Sequence, residues 1–268
     1  MAQLTISGAE IHFADVGSGT PVFLFVHGWG CNRQCWDAQL SDLSGNNRCI
    51  AVDLRGRGES SAIPPYGVGR ALEDLAELIR HLQLPPVIVV GHSLGGIIAL
   101  ALNGRYPELV QGVVTIDSPI NADTGAGSPR SVARIREAGS MSAVEGYVRS
   151  FNSDPPNPLT SEYIENVLLA CPADVGAGML EDLHLVGQDM PRLIHEADKK
   201  PFMAIWAENP LGDPAWLREK TLFLRQEPVP GTGHFVMMEQ PAVTNALLRA
   251  FLDDAARDPR VSVESTPS

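Results

Sequence analysis

One segment constrains this chain more than any other. Residues 87–91, Val-Ile-Val-Val-Gly, form an unbroken apolar run, and GGIIALALNGRY (95–106) follows with helical composition until Pro107 stops it. A continuous run suits a strand buried on both faces, as in a parallel sheet, whereas a half-wet strand would alternate. Between the two stand Gly91-His92-Ser93-Leu94-Gly95, with Gly96 behind. A strand that becomes a helix within so few residues must turn sharply, and the small residues two before and two after Ser93 relieve the crowding. The turn presents the Ser93 hydroxyl at a helix N-terminus, where backbone N–H groups favour developing negative charge.

The same unit recurs along the chain. Val22–Val26 is a second buried run, ending in His27-Gly28-Trp29-Gly30, and residues 49–53, 113–117 and 202–206 are further ones. Shorter strands are expected at 3–6, 11–15 and 226–230. Between them, 70–83 carries Leu72, Leu75, Leu78, Ile79 and Leu82 at amphipathic-helix spacing before Pro85 and Pro86, and 241–256 reads as a closing helix. Strands alternating with helices predict an α/β fold on a mostly parallel sheet. Residues 121–200 break that alternation. A Gly/Pro-rich start leads into helical stretches near 130–151, 160–170 and 173–186, divided by SDPPNP (153–158). The reading is a core of 1–120 and 201–258, a helical cap at 121–200, and a polar, flexible tail at 259–268.

The bulk numbers exclude several functions. Among 268 residues, 32 acidic side chains against 20 basic ones give a net charge of -12. That surface repels phosphate backbones and anionic bilayers, so neither nucleic acid nor membrane is expected as a partner. The cysteines, Cys31, Cys35, Cys49 and Cys171, lack paired metal-ligand spacing and read as buried free thiols, with no metal site expected. The N-terminus lacks the basic and apolar regions of a signal peptide, and no apolar run reaches the roughly 18 residues of a membrane span. A cytoplasmic enzyme, monomer or homodimer, acting on a small molecule is the expectation.

A serine in a Gly-x-Ser-x-Gly turn between strand and helix reads as a nucleophile for acyl transfer, which requires a base and an oxyanion site. Pro230-Gly231-Thr232-Gly233-His234-Phe235 follows the last expected strand, so His234 lies on a loop at the C-terminal edge of the sheet, where a base can reach Ser93. His27 is expected to brace its own loop, while His12, His81, His184 and His195 fall in no motif. The backbone N–H groups of Leu94 and Trp29 are the natural oxyanion donors. Trp29, Leu94, Phe235 and the cap residues Met179 and Leu183 are candidates to line an apolar substrate pocket.

With HGWG, DLRGRGES, GHSLGG and PGTGHF in this order and at these separations, the sequence resembles the α/β-hydrolase superfamily, in particular its cap-bearing esterases, lactonases and perhydrolases. The resemblance implies an eight-stranded, mostly parallel sheet with helices on both faces, a cap after the sixth strand, a catalytic order of serine, acid, histidine, and no cofactor. It also implies that members opening epoxides or removing halide use an aspartate where this chain has Ser93. Ester hydrolysis through an acyl-enzyme is therefore expected, with lactones included. Perhydrolysis, cofactor-independent dioxygenase chemistry and a slow, single-turnover ligand sensor are the rivals.

The chain departs from the family in its acid. Members commonly carry it in a GxxDP pattern after the strand that follows the cap, yet here the stretch is Trp206-Ala207-Glu208-Asn209-Pro210. Asp117, at the end of the 113–117 run beside the nucleophile strand, fits the need for a carboxylate near His234, and some members place the acid there. Asp213, in the loop NPLGDP, and Glu208 are the competing candidates.

Overall fold

A computed structural model describes residues 2–258 and 260. The tail expected at 259–268 lies, apart from Arg260, outside the described residues. The chain opens with β1 (Ala2–Ile6), β2 (Ala9–Val16) and β3 (Phe23–Val26), then α1 (Asp37–Leu43), β4 (Cys49–Val52), α2 (Val68–His81), β5 (Val87–His92), α3 (Leu94–Arg105) and β6 (Val110–Ile116). Next come α4 (Ser128–Ala138), α5 (Glu145–Arg149), α6 (Pro158–Tyr163), α7 (Ala173–Met179), α8 (Leu183–Gln188) and α9 (Met190–Ala197). It closes with β7 (Phe202–Trp206), α10 (Pro214–Glu219), β8 (Arg225–Pro228), α11 (Val236–Glu239) and α12 (Pro241–Arg257).

The strands form one eight-stranded sheet in the order β1-β2-β4-β3-β5-β6-β7-β8. Only β2 runs against its neighbours, β1 and β4; the pairs from β4 to β8 are parallel. The continuous apolar runs behave as the pattern demands. Every residue of β3, β4, β5 and β7 is buried. At the edge, β8 reads Arg-Gln-Glu-Pro and is half exposed, a polar composition that discourages pairing with another chain. On one face α2 packs on α3, and α3 on β5 and β6. Residues 94–103 of α3 are all buried because it lies between sheet and neighbouring helices. On the other face α1 packs on α12, whose Phe251 ring reaches Gly112 of β6. No described helix is long and apolar enough to cross a membrane.

The insert between β6 and β7 is more fragmented than the sequence suggests. The helix expected over 130–151 ends at Ala138, where Gly139 takes a left-handed φ of 61°. Ser140 then accepts from the Ser142 N–H and starts a short 3-10 turn, Met141–Val144, before α5. The stretch expected at 160–170 is α6 running into one π-helical turn, Ile164–Leu168. The stretch expected at 173–186 is two helices, α7 and α8. The last helix, α9, packs against α3 and so belongs structurally to the flank of the sheet. Because the central strands are parallel, their C-terminal ends share one edge, and the turns after β3, β5, β6, β7 and β8 converge there beneath the insert.

Candidate active site

Ser93 is the residue on which β5 turns into α3. Its φ of 53° and ψ of -121° are a costly conformation for a residue with a side chain. The surroundings enforce it. The Ser93 N–H donates to Ile116 O at 2.9 Å, tying the turn to β6, and Ser93 O accepts from the Gly96 N–H at 3.0 Å. A Cβ on Gly91 would stand 2.2 Å from Gly95 O, and one on Gly95 would stand 2.2 Å from Val26 O. Neither glycine can be replaced without moving backbone.

The turn after β3 lies directly against this serine. A Cβ on Gly28 would approach Ser93 Cβ to 3.0 Å and His92 Nδ1 to 2.9 Å. The loop is braced by His27, whose Nδ1–H donates to Gly28 O at 2.8 Å while Nε2 accepts from the Leu54 N–H at 3.0 Å. Burial drives the His27 pKa from its ordinary 6.5 down to about 4, the Asp53 carboxylate opposing. With both nitrogens engaged and the ring neutral, His27 has no lone pair for Ser93. Trp29, the next residue but one, donates from its indole to Gly176 O at 2.7 Å and so ties the loop to α7 of the insert.

His234 arrives on the loop after β8. Its Nδ1–H donates to Asp117 Oδ2 at 2.6 Å, and both residues are buried. The other carboxylate oxygen, Oδ1, accepts from the N–H groups of Ala207 (3.4 Å) and Leu211 (3.3 Å). Asp117 directly follows β6 with a positive φ of 41°, a region aspartate visits more readily than most residues, and its own N–H is paired with Ile205 O at 2.8 Å. Since a carboxylate only accepts, the imidazole proton sits on Nδ1 and the free lone pair on Nε2. The His234 ring centroid lies 4.4 Å from that of His92, the residue preceding Ser93. The hydrogen bond from the Ser93 hydroxyl to Nε2 is not among those formed by the described residues; sites of this kind commonly tighten it only on binding.

The competing carboxylates are engaged elsewhere. Asp213 is the N-cap of α10, its Oδ1 accepting from the N–H groups of Ala215 (3.0 Å) and Trp216 (2.9 Å). The dipeptide Asp213-Pro214 is itself the sequence signal for that role. Glu208 Oε2 accepts from the Gly231 N–H at 2.9 Å and steadies the histidine loop. Glu239 Oε2 takes the Gly233 N–H at 2.8 Å, and Phe151 O of the insert takes the His234 N–H at 2.8 Å. A Cβ on Gly233 would stand 2.6 Å from Phe151 O, so only glycine admits this approach.

His92 carries a contact that no sequence motif announces. Its Nε2–H donates to His234 O at 3.0 Å while Nδ1 is buried without a partner. Burial, then the neighbouring His234, hold its pKa well below the ordinary histidine value, so it stays neutral.

Ser93, Trp29 and Leu94 form the floor of a cavity of about 520 Å³ whose walls include Phe151 and Leu183 of the insert. Of the expected pocket residues, Met179 and Phe235 are not brought to it. Met179 is fully buried on α7, and Phe235 packs its ring 5.5 Å from Tyr163 and 5.2 Å from His92. A smaller cavity of about 130 Å³ adjoins Asp117, His234 and Asn209. A larger cavity, about 660 Å³, touches Pro21, Pro86, Pro107 and Lys200, which precede strands and so lie at the opposite edge of the sheet from Ser93. Among the described residues no group of three His, Cys, Asp or Glu could hold a metal.

Residues 23–247 match the model of a family described as the alpha/beta hydrolase family. The 2-(acetamidomethylene)succinate hydrolase of Mesorhizobium japonicum is 28% identical, over 94% of this chain and 94% of that enzyme. Among solved structures, a thermophilic esterase from Thermogutta terrifontis superposes with a TM-score of 0.83 at 24% identity, covering 95% of this chain and 98% of its own. An enol-lactonase from Burkholderia xenovorans does so with a TM-score of 0.82 at 20% identity, covering 94% and 100%. Likeness at these structural identities speaks for the fold.

Proposed function

This chain belongs to the alpha/beta hydrolase family, and from that premise we propose that it cleaves carboxylic esters, lactones included, through an acyl-enzyme on Ser93. The observation that carries the reading is the strained serine turn at φ 53° with a buried imidazole–carboxylate pair of 2.6 Å beside it. His234 Nε2 takes the hydroxyl proton as Ser93 Oγ attacks the carbonyl carbon, and the π electrons move onto the carbonyl oxygen. The backbone N–H groups of Trp29 and Leu94 receive that oxyanion. Asp117 holds the ring in the reactive tautomer and stabilises the imidazolium. The intermediate collapses, the C–O bond to the alcohol breaks, and His234 returns the proton to the departing oxygen. Water then repeats the sequence on the acyl-enzyme, regenerating Ser93.

Ester and lactone bonds are preferred over epoxides because the nucleophile position holds a serine, whereas epoxide opening on this fold uses an aspartate. Relatives bearing the names esterase and enol-lactonase fit the same preference. The test is direct. Purified protein should turn over p-nitrophenyl acetate or butyrate repeatedly and react with a fluorophosphonate at Ser93 alone. Ser93→Ala should lose about 10⁶-fold in turnover with its fold intact. A folded Ser93→Ala protein that retains activity would sink the proposal, and a single burst without further turnover would point to a ligand sensor instead.

A further inference from the structure

The chain as a whole is strongly acidic, at -12, yet the cavity above Ser93 inverts that balance. Among the described residues lining it, Arg134 is the only one with a formal charge. Arg134 lies on α4, where Ser128, Ser131 and Arg134 succeed one another at intervals of three and so share one helical face, and all three line the cavity. The guanidinium touches Ala143 O at 2.5 Å, which holds it at the cavity mouth, and no carboxylate pairs with it among the described residues. In the same insert Arg136, Arg149 and Arg192 each have a carboxylate partner. Ser128 stands on the same wall. It is 6% exposed, and its hydroxyl has no hydrogen-bond partner within the protein. That hydroxyl is closed off from solvent, so the group of this wall that can meet an anion is the Arg134 guanidinium. Most of the rest of the wall, including Trp29, Leu94, Phe151 and Leu183, is apolar, and Ser93 and Tyr147 carry its other hydroxyls.

On these grounds, and resting on the ester-hydrolase reading above, we propose that the substrate carries a carboxylate remote from its reacting carbonyl, received by Arg134 with Ser131 beside it. The planar guanidinium offers paired N–H donors that match a carboxylate, and one remaining edge is enough for the fork. An apolar spacer lies along the aromatic and aliphatic wall while the carbonyl reaches Ser93. The substrate class is thus a half-ester, or a lactone bearing a free acid, in preference to a neutral fatty ester.

The experiment uses two ester pairs. One places the charge in the acyl part: p-nitrophenyl hemiglutarate against p-nitrophenyl 5-methylhexanoate. The other places it in the leaving group: 4-carboxyphenyl butyrate against 4-isopropylphenyl butyrate. The readout is the ratio of kcat/KM, charged over neutral, in wild type and in Arg134→Met. Intrinsic reactivity cancels between the proteins. The ratio should fall roughly 10- to 100-fold in at least one pair, the loss expected for a charge-assisted fork. Arg130→Met, which removes an equal charge from α4 outside the cavity, should leave the ratio unchanged. A ratio that stays constant in both pairs, or falls equally in Arg130→Met, overturns the proposal and leaves ester hydrolysis standing. If wild type cleaves none of the four esters, the hydrolase reading fails, and calorimetric binding of glutarate decides the anion site by itself. Binding that Arg134→Met abolishes supports it; binding that is absent in wild type or unaltered in the variant overturns it.

Discussion

Two turns leave neighbouring strands at the same edge of the sheet, and each carries an aspartate. The turn after β6 begins with Asp117, whose carboxylate faces away from its own segment to receive His234 and two N–H groups of the second turn. The turn after β7 ends with Asp213, whose carboxylate faces back on the next residues and caps α10. The turns are laid one on the other: the Asp213 N–H donates to Ile120 O at 2.9 Å, and a Cβ on Gly212 would stand 2.6 Å from Ser118 O. Proximity alone therefore does not separate them. What separates them is the local commitment of each side chain. An aspartate followed by proline at the head of a helix has its acceptors filled by its own backbone, while one at a strand end is free to serve a distant group.

The strongest way to break this contrast is Asp117→Asn. Asparagine tolerates the left-handed backbone at this position, so the fold should survive while turnover falls about 10⁴-fold, the loss seen when such an acid becomes an amide. Steady-state kinetics with circular dichroism would show it, and a drop of that size in Asp213→Asn instead would invert the assignment. A third turn, after β3, sharpens the contrast because its histidine is a brace. His27 titrates at about 4 in the folded chain against an ordinary 6.5, so the unfolded chain binds the proton first. Stability should be full above about pH 6.5, decline as pH falls, and level off below about 4, by on the order of 3 kcal/mol. Melting curves across that range should have a shallower slope in His27→Gln; an equal slope would remove His27 from the account.

A gain-of-function variant tests the second turn. Asn209 occupies the aspartate place of the family's common pattern and borders the same small cavity as His234 and Asp117. Asp117→Asn combined with Asn209→Asp should recover about tenfold or more of the lost rate, a change of roughly 1.4 kcal/mol in barrier. No recovery would mean that the second turn cannot present a carboxylate to the ring. The smallest effect belongs to Asp213→Ala. Losing the cap should cost about 1 kcal/mol in denaturant melts and leave the rate within a few-fold.

The sheet was legible because burial on both faces demands unbroken apolar runs, and 22–26, 49–53, 87–91 and 202–206 are such runs. The insert was less so. Its helices are short, and their ends depend on single residues such as Gly139 and Ser140, a left-handed stop followed by a cap that an amphipathic pattern passes over. α1 and α10 went unread for the same reason of length, although Asp213-Pro214 announces the latter. In the candidate site, Ser93, His27 and the Asp117–His234 pairing followed from strand ends and turns. The support of His234 by His92 and Phe151 did not, because it joins residues distant in sequence through backbone groups that leave no pattern. Nor did the seating of Met179 and Phe235 in the interior, since an apolar side chain serves core and cavity equally well.

The backbone bond from His234 N–H to Phe151 O has a bearing on how such a protein can diversify. Insertions over a common sheet invite the picture of interchangeable modules, traded by recombination to change specificity while the chemistry stays put. Here the traded piece would carry away an anchor of His234 itself. Replacing Phe151 in place keeps that anchor, since any residue supplies a carbonyl, but a graft that shifts the path of 151–153 by an ångström shifts the imidazole with it. The lineage can thus explore substrates through point substitutions along α4 and α8 far more freely than through exchange of the whole segment.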